Sequence, residues 1–203
     1  MSSPIPLRFV TSADDHHKLP DTAAELAVVG RSNVGKSSLI NAVANRNGLA
    51  HVSKTPGRTR LLNLFAIGKD EGPDVGIDTA VVDLPGYGYA AAPKREQARW
   101  QAMIEGYLLE RETLATVIVL VDGEVGPTKL DVQMLDWLAE CDVPYVVVAT
   151  KADKVKASKR QKRREELARK CALPRGEITW VSAAKGTGID ELRAKIYRWL
   201  APA

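Results

Sequence analysis

The chain has 203 residues, 45% of them hydrophobic, with 29 Lys and Arg against 25 Asp and Glu, a net charge of +4. That composition can bury one sizeable core and argues for a single domain. No apolar run reaches membrane-span length, the first residues lack the basic-then-apolar plan of a secretory signal, and Cys141 and Cys171 stand at no metal or redox spacing. The expectation is a cytoplasmic chain without membrane contact, its thiols reduced.

Residues 1–24 are expected to form an N-terminal extension packed on the domain that begins at Glu25. Glu25-Leu-Ala-Val-Val29 has the apolar, Val-rich composition of a buried strand. Gly30-Arg-Ser-Asn-Val-Gly-Lys-Ser37 follows, a complete G-x-x-x-x-G-K-[ST] loop, and residues 38–44 then read as a helix. That strand–loop–helix context gives the motif its meaning. Gly30 and Gly35 let the chain fold tightly enough for the amides of Arg31, Ser32, Asn33 and Val34 to face phosphate. Lys36 is placed to reach β/γ oxygens, and the Ser37 hydroxyl to ligate Mg²⁺, with Ser38 beside it. The helix N-terminus adds its partial positive charge.

Residues 44–60 hold no periodic pattern and are dotted with Asn, Gly and Pro. A loop of that length in a compact domain is usually functional or disordered. Within it, Thr59, after Gly57 and Arg58, lies where a hydroxyl can complete a Mg²⁺ shell, and loss of a γ-phosphate would release the segment. Residues 61–67 read as a strand, joined through a Gly-containing link at 68–76 to another at 79–82, which makes the first an antiparallel edge strand. Continuous apolar runs at 116–121, 145–149 and 178–181 suit parallel strands covered on both faces. Helical stretches fall at about 94–111, 128–141, 156–172 and 189–200, with Pro93 well placed before the first. The alternation predicts an α/β fold: a mostly parallel six-stranded sheet with one antiparallel edge strand and helices on both faces.

The ends of three strands carry further chemistry. Asp83-Leu-Pro-Gly86 offers a carboxylate that can hold Mg²⁺ through water and an amide, that of Gly86, that can sense a γ-phosphate. D-x-x-G alone is a weak signal. Thr150-Lys-Ala-Asp153 is sharper, because the Asp153 carboxylate can accept from both N1–H and the 2-amino group of guanine. Adenine would leave that carboxylate unpaired, at a cost of a few kcal/mol. The Lys151 stem would cover the base, and Ser182, Ala183 and Ala184 would present backbone N–H groups to guanine O6.

Taken together and in this order, Gly30–Ser38, Thr55-Pro-Gly-Arg-Thr-Arg60, Asp83-Leu-Pro-Gly-Tyr-Gly-Tyr89, Thr150–Asp153 and Ser182-Ala183 resemble the five motifs of the bacterial EngB (YihA or YsxC) family, within the translation-factor-related class of P-loop GTPases. The lead-in Phe9-Val-Thr-Ser-Ala13 with Leu19-Pro20 is similar to that family's start, so the likeness covers nearly the whole chain. It implies a single GTPase (G) domain over 25–203 that binds GTP and GDP with Mg²⁺. It also implies slow hydrolysis, with Lys36, Asn33, Thr59 and Gly86 in the catalytic machinery, and a role in assembly of the large ribosomal subunit. The partner would be the subunit precursor, rRNA and ribosomal proteins together, and the protein a monomer.

Two departures from the general GTPase pattern stand out. Thr150 replaces the commoner Asn, which predicts a weaker tie between the base-reading motif and the phosphate loop. Tyr87 replaces the Gln that orients water in many GTPases, in a stretch flanked by glycines, so basal hydrolysis should be slow. GTPases with that replacement often use K⁺ held by a phosphate-loop Asn, and Asn33 matches the position; Asn33 reads equally as a turn-former tolerant of unusual backbone angles.

Charge is concentrated. Residues 151–170 carry ten Lys and Arg against three acids, +7 in a chain of +4. Such a face suits RNA phosphates, although a basic helix is also commonly solvated surface, here with Glu165 and Glu166 spaced to pair with Arg169 and Lys170. Arg58, Arg60, Lys94, Arg95 and Arg99 lie in or beside the expected switch segments, and Tyr87 and Tyr89 can stack on bases or pack inward. The competing function classes are a small-molecule kinase, disfavoured by the guanine-reading motif, and a nucleotide-dependent interaction module with negligible turnover, for instance in septation during cell division.

Overall fold

The computed structural model describes residues 3–50, 61–68, 76–87, 94–174 and 176–201. A seven-stranded sheet runs in the order β1-β3-β4-β2-β5-β6-β7. Its strands are β1 (Leu7–Ala13), β2 (Thr22–Gly30), β3 (Leu62–Ile67), β4 (Ile77–Asp83), β5 (Leu114–Asp122), β6 (Tyr145–Thr150) and β7 (Thr179–Trp180). The five helices among the described residues are α1 (Lys36–Ala44), α2 (Lys94–Glu110), α3 (Lys129–Glu140), α4 (Arg160–Lys170) and α5 (Ile189–Leu200). Pairing is parallel from β4 through β2, β5 and β6 to β7, and antiparallel at β4–β3 and β3–β1. The α/β class, the mostly parallel sheet and the antiparallel β3 agree with the sequence.

The strand count is seven rather than six, because β1 pairs along β3 and takes the edge that the sequence assigned to residues 61–67. A register shift between Phe9 and Thr11 interrupts the alternation of β1, and that bulge hides the strand from a period-two reading. β2 begins at Thr22, three residues before Glu25. Helix α4 starts at Arg160 rather than near 156, behind short 3₁₀ turns at Ala152–Lys154 and Ala157–Lys159.

Strand side chains alternate between two cores. Ala27 and Val29 of β2 join Val82, Val119 and Ala149 under Tyr107 and Leu108 of α2, Leu135 and Leu138 of α3 and Leu167 of α4. Leu26 and Val28 join Val81, Ile118 and Val148 under Leu39, Ile40 and Val43 of α1 and Leu192 and Ile196 of α5. This double cover is why the central strands are apolar on both faces. Trp100, Trp137, Trp180 and Trp199 all pack against these cores. Both cysteines are free thiols, and burial pushes the Cys171 thiol up to about 11. No helix among the described residues is long and apolar enough to cross a membrane.

Candidate nucleotide site

Central β2 ends at Gly30, and the next five residues turn back into α1. Asn33 (φ 65°) and Gly35 (φ 108°) both take the left-handed conformation, which costs glycine nothing and Asn little. A Cβ on Gly30 would stand 2.9 Å from Val34 Cγ1 and 3.1 Å from the Leu120 carbonyl, so only glycine lets the strand end pack so closely. A Cβ on Gly86 would meet the Gly30 carbonyl and the Ser32 nitrogen, both at 3.2 Å. The Asp83–Gly86 segment therefore lies directly on the loop. Ser32 N–H donates to the Tyr87 carbonyl at 3.2 Å, and Arg31 and Tyr87 form an isolated parallel bridge.

Lys36 opens α1 and is buried, and its ammonium donates to Asp83 Oδ1 at the end of β4. The cation and the carboxylate are thus brought together, neutralising one another beside a half-buried Ser37. Two strands along from β2, β6 ends at Thr150. The Thr150 hydroxyl lies 2.6 Å from the Val34 carbonyl and 3.2 Å from that of Val121. The shorter side chain therefore does reach the phosphate loop, and the expected weakness of that tie does not appear in the geometry. A longer carboxamide is unnecessary because the loop passes so close that even a Cβ on Gly35 would stand 3.8 Å from the Thr150 Cβ.

The next residues form the base-side turn. Lys151 adopts a left-handed conformation (φ 54°), and its ammonium donates to Asp122 Oδ2 at 2.7 Å. Burial works against a charged Asp122, but the Lys151 ammonium and the amides of Val125 and Glu124 hold its carboxyl below the usual carboxylate range. Ser182, fully buried, donates its hydroxyl to Asp153 Oδ1 at 2.6 Å. That bond is the main cause of a lowered Asp153 carboxyl, which Lys154 and Lys185 favour further. Ala183 is half-buried and Ala184 exposed. A carboxylate kept ionised and oriented by one hydroxyl retains acceptor capacity for a pair of ligand N–H groups.

Residues 25–151 match the profile of a family described as 50S ribosome-binding GTPase. Over 198 residues the chain is 43% identical to the probable GTP-binding protein EngB of Pasteurella multocida, covering 96% of this chain and 92% of that one. Over 188 residues it is 47% identical to the protein of that name from Desulforamulus reducens, with 91% and 87% covered. The chain belongs to the EngB family of GTPases. A crystal structure of a probable GTP-binding protein EngB superposes with a TM-score of 0.68 at 27% identity, over 87% of this chain and 98% of that one. Era, solved with MgGDPNP and nucleotides 1506–1542 of 16S ribosomal RNA, shares the fold at a TM-score of 0.68 and 24% identity, over 91% of this chain and 59% of that one.

As a member of that family the protein binds GTP and GDP and hydrolyses GTP. Of the residues singled out in the sequence, Gly30 to Ser38, Asp83, Gly86, Thr150, Lys151, Asp153 and Ser182 to Ala184 all gather at the carboxyl ends of β2, β4, β6 and β7. Gly57, Arg58, Thr59, Arg60, Tyr89 and Pro93 lie outside the described residues. Tyr87 packs inward rather than outward: its phenol donates to Asp131 Oδ1 at 2.8 Å, and burial raises its pKa, with the Asp131 charge adding to the effect.

Two acids escaped the sequence reading. Asp122 ends β5 as Asp83 ends β4, and the Asp-Gly after a Val-rich strand was a usable signal. Asp131 is fully buried and closes a capping box with Thr128 at the start of α3. The T-x-x-D spacing announces the cap but not the bond to a tyrosine 44 residues earlier.

Mg²⁺ is the ion this class of site implies. The donor set of the Ser37 hydroxyl and the buried Asp83 carboxylate is all oxygen, as a hard divalent cation requires, and Gly86 keeps the intervening backbone on the loop. The residues fit that ion.

Proposed function

We propose that the protein is a nucleotide-dependent switch that acts on a precursor of the large ribosomal subunit. The observation that carries this reading is the continuity between the base-reading turn and the basic face. Asp153 and Lys154 lead straight into Lys156, Lys159, Arg160 and Lys162, all exposed, and Lys156, Lys159 and Lys162 form no ion pair among the described residues. Lys170 does pair with Glu166 at 2.9 Å, so part of α4 is ordinary solvated surface. A cleft of about 360 Å³ opens beside Asp153, walled by Arg160, Arg164, Trp180 and Lys185. The Arg164 guanidinium sits 5.8 Å from the Trp180 ring centroid. Cations with a stacking surface suit single-stranded RNA, and the 50S ribosome-binding description of the matching family agrees.

In this reading the loop from Gly30 to Ser38 cradles phosphates, and Lys36 contacts the β/γ oxygens. Asp153, with Lys151 and Ser182 to Ala184, reads guanine. Ser37, Thr59 and Asp83, the last through water, hold Mg²⁺, which would neutralise charge on the phosphates. Gly86 senses the terminal phosphate, and Gly57 is among the nucleotide-binding residues. The left-handed backbone at Asn33 fits a turn-former, and its exposed carboxamide is the group that would hold K⁺. We take residues 25–203 as the G domain, 1–24 as an extension packed on it, and the protein as a cytoplasmic monomer.

The test is co-sedimentation with large-subunit precursors under GTP and GDP across a salt series. Replacing Lys159, Arg160, Lys162 and Arg163 by Gln should flatten the log–log salt slope by about three to four units if all four displace counterions. Guanine-nucleotide affinity should change far less than RNA binding, since Lys159, Lys162 and Arg163 lie away from the base-side turn and only Arg160 lines the cleft beside Asp153. An unchanged slope would return α4 to solvated surface.

A further inference from the structure

Between β1 and β2 the chain makes a short 3₁₀ turn, His16–Lys18, packed against the second half of α2. His16 is only 8% exposed, and its Nε2 is buried without a hydrogen-bond partner. An orphaned ring nitrogen in a buried site is costly and calls for an explanation. Glu110 Oε2 stands 3.3 Å from that nitrogen, and His17 Nε2 stands 3.8 Å from the same oxygen. The two imidazoles pack against one another in a tilted pair, with centroids 3.9 Å apart and planes inclined by 39°. Ligand atoms of Asp15, His16 and His17 all fall within 4.8 Å of one another.

We propose that His16, His17 and Glu110 form a binding site for a divalent transition metal of the Zn²⁺ type. Two ligand atoms at about 2.0–2.2 Å from Zn²⁺ with tetrahedral angles stand about 3.3–3.6 Å apart. The nitrogen-to-oxygen separations of 3.3 and 3.8 Å are therefore close to those of a formed site. Two neutral imidazoles and a carboxylate are a donor set that favours Zn²⁺ over Mg²⁺, and exposure of His17 and Glu110 gives the ion a route in and a water as fourth ligand. Asp15 Oδ1 lies 3.7 Å from His16 Nδ1, on the opposite ring edge, and accepts from the His17 amide at 3.0 Å, which fixes the turn that carries both imidazoles.

The surroundings support an ion there. The neighbouring cations Lys18 and Arg99 are both taken up by Asp14, at 2.7 and 2.9 Å, so they do not neutralise Asp15 and Glu110. Gly106, one helical turn before Glu110, leaves α2 flat where the His16 ring rests; a Cβ there would stand 3.4 Å from two ring atoms. Glycine inside a helix is destabilising relative to Ala, and here it admits the ring. A bound metal would pin the N-terminal turn to the far end of α2, the helix whose first turn follows the Asp83–Gly86 segment.

The experiment is a Zn²⁺ titration of the full chain, free of any affinity tag and saturated with Mg²⁺ and GDP, in competition with a chromogenic chelator. Wild type should bind one equivalent. His17→Ala and Glu110→Gln should each weaken binding at least tenfold, while Cys141→Ser, remote from the turn, should not. Co²⁺ in place of Zn²⁺ should give a visible ligand-field spectrum that His17→Ala abolishes. His17 is exposed, so this variant should fold even if Glu110→Gln does not. No binding by wild type, or binding unchanged in His17→Ala, would overturn the proposal.

Discussion

Near the start of β2 the Glu25 carboxylate is wholly buried, and both its oxygens are engaged. Oε1 accepts from the Thr22 hydroxyl at 2.7 Å and from Arg111 Nε and Nη2 at 3.1 and 2.7 Å, while Oε2 accepts from the Tyr107 hydroxyl at 2.7 Å. At the carboxyl end of the sheet the acids are held differently. Asp83 meets the Lys36 ammonium through one oxygen, and Asp153 meets the Ser182 hydroxyl through one oxygen. Burial of charge alone therefore does not mark a functional site. A carboxylate whose acceptor sites are all filled from within is built to lock elements together, here the end of α2 and the start of β2. A carboxylate oriented by one partner and left with acceptor capacity is built to receive a ligand.

Disturbing the closed network should produce the largest effect and confine it to stability. Arg111→Met leaves Glu25 buried without its cation, a loss of about 3–5 kcal/mol, read as a lower midpoint in chemical denaturation. The fraction that remains folded should bind GDP with wild-type affinity. A nucleotide defect exceeding the stability defect would erase the distinction between the two ends.

Asp153→Asn should do the reverse. It removes an acceptor and installs a donor, so guanine loses a charge-assisted pair worth about 1.5–3 kcal/mol, roughly a ten- to hundredfold loss of GTP affinity. Xanthine nucleotides, which carry an acceptor in place of the 2-amino group, should gain. Competition titrations with GTP, XTP and ATP measure this, and equal binding of ATP and GTP by wild type would end the guanine assignment.

Asp122 lies between these extremes, being buried and multiply bonded yet attached to the Lys151 side chain that is to cover the base. Its folded-state carboxyl is lowered, so its contribution is complete above the ordinary carboxylate value of about 3.9 and fades as pH falls through the lower folded value. Asp122→Asn should lose about 1.5 kcal/mol at pH 7 and show a flatter acid limb below pH 4 in pH-dependent denaturation. An identical acid limb would mean that the Lys151 pair contributes nothing to folding.

What the sequence made legible follows the same division. The phosphate loop, the Asp83–Gly86 segment and the Thr150–Asp153 turn are contiguous, and each demands particular residue types for backbone angle or charge, so each can be read locally. The two-faced apolar strands were equally plain. Glu25 with Arg111, Tyr87 with Asp131 and Lys151 with Asp122 are pairings between residues 29 to 86 positions apart, which only the fold brings together. β1 was hidden by its bulge, and Thr150 was read as a weakness because its reach depends on how closely Gly35 approaches.

The smallest expected effect concerns Tyr87, which joins the two kinds of region. Its carbonyl is bonded to Ser32 in the phosphate loop and its phenol to Asp131 at the head of α3. Tyr87→Phe removes one hydroxyl donor from Asp131, whose other oxygen still accepts from the Thr128 amide and hydroxyl at 2.7 and 2.8 Å. The loss should be about 1 kcal/mol in the stability of the GDP-bound protein. If the phenol leaves Asp131 when GTP binds, the same variant costs the GDP state more than the GTP state. The ratio of GTP to GDP affinity should then rise about fivefold, the equivalent of 1 kcal/mol. An unchanged ratio with the full stability loss would make the Tyr87–Asp131 bond a fixed brace, grouping it with Glu25 and Arg111 rather than with the ligand-receiving end of the sheet.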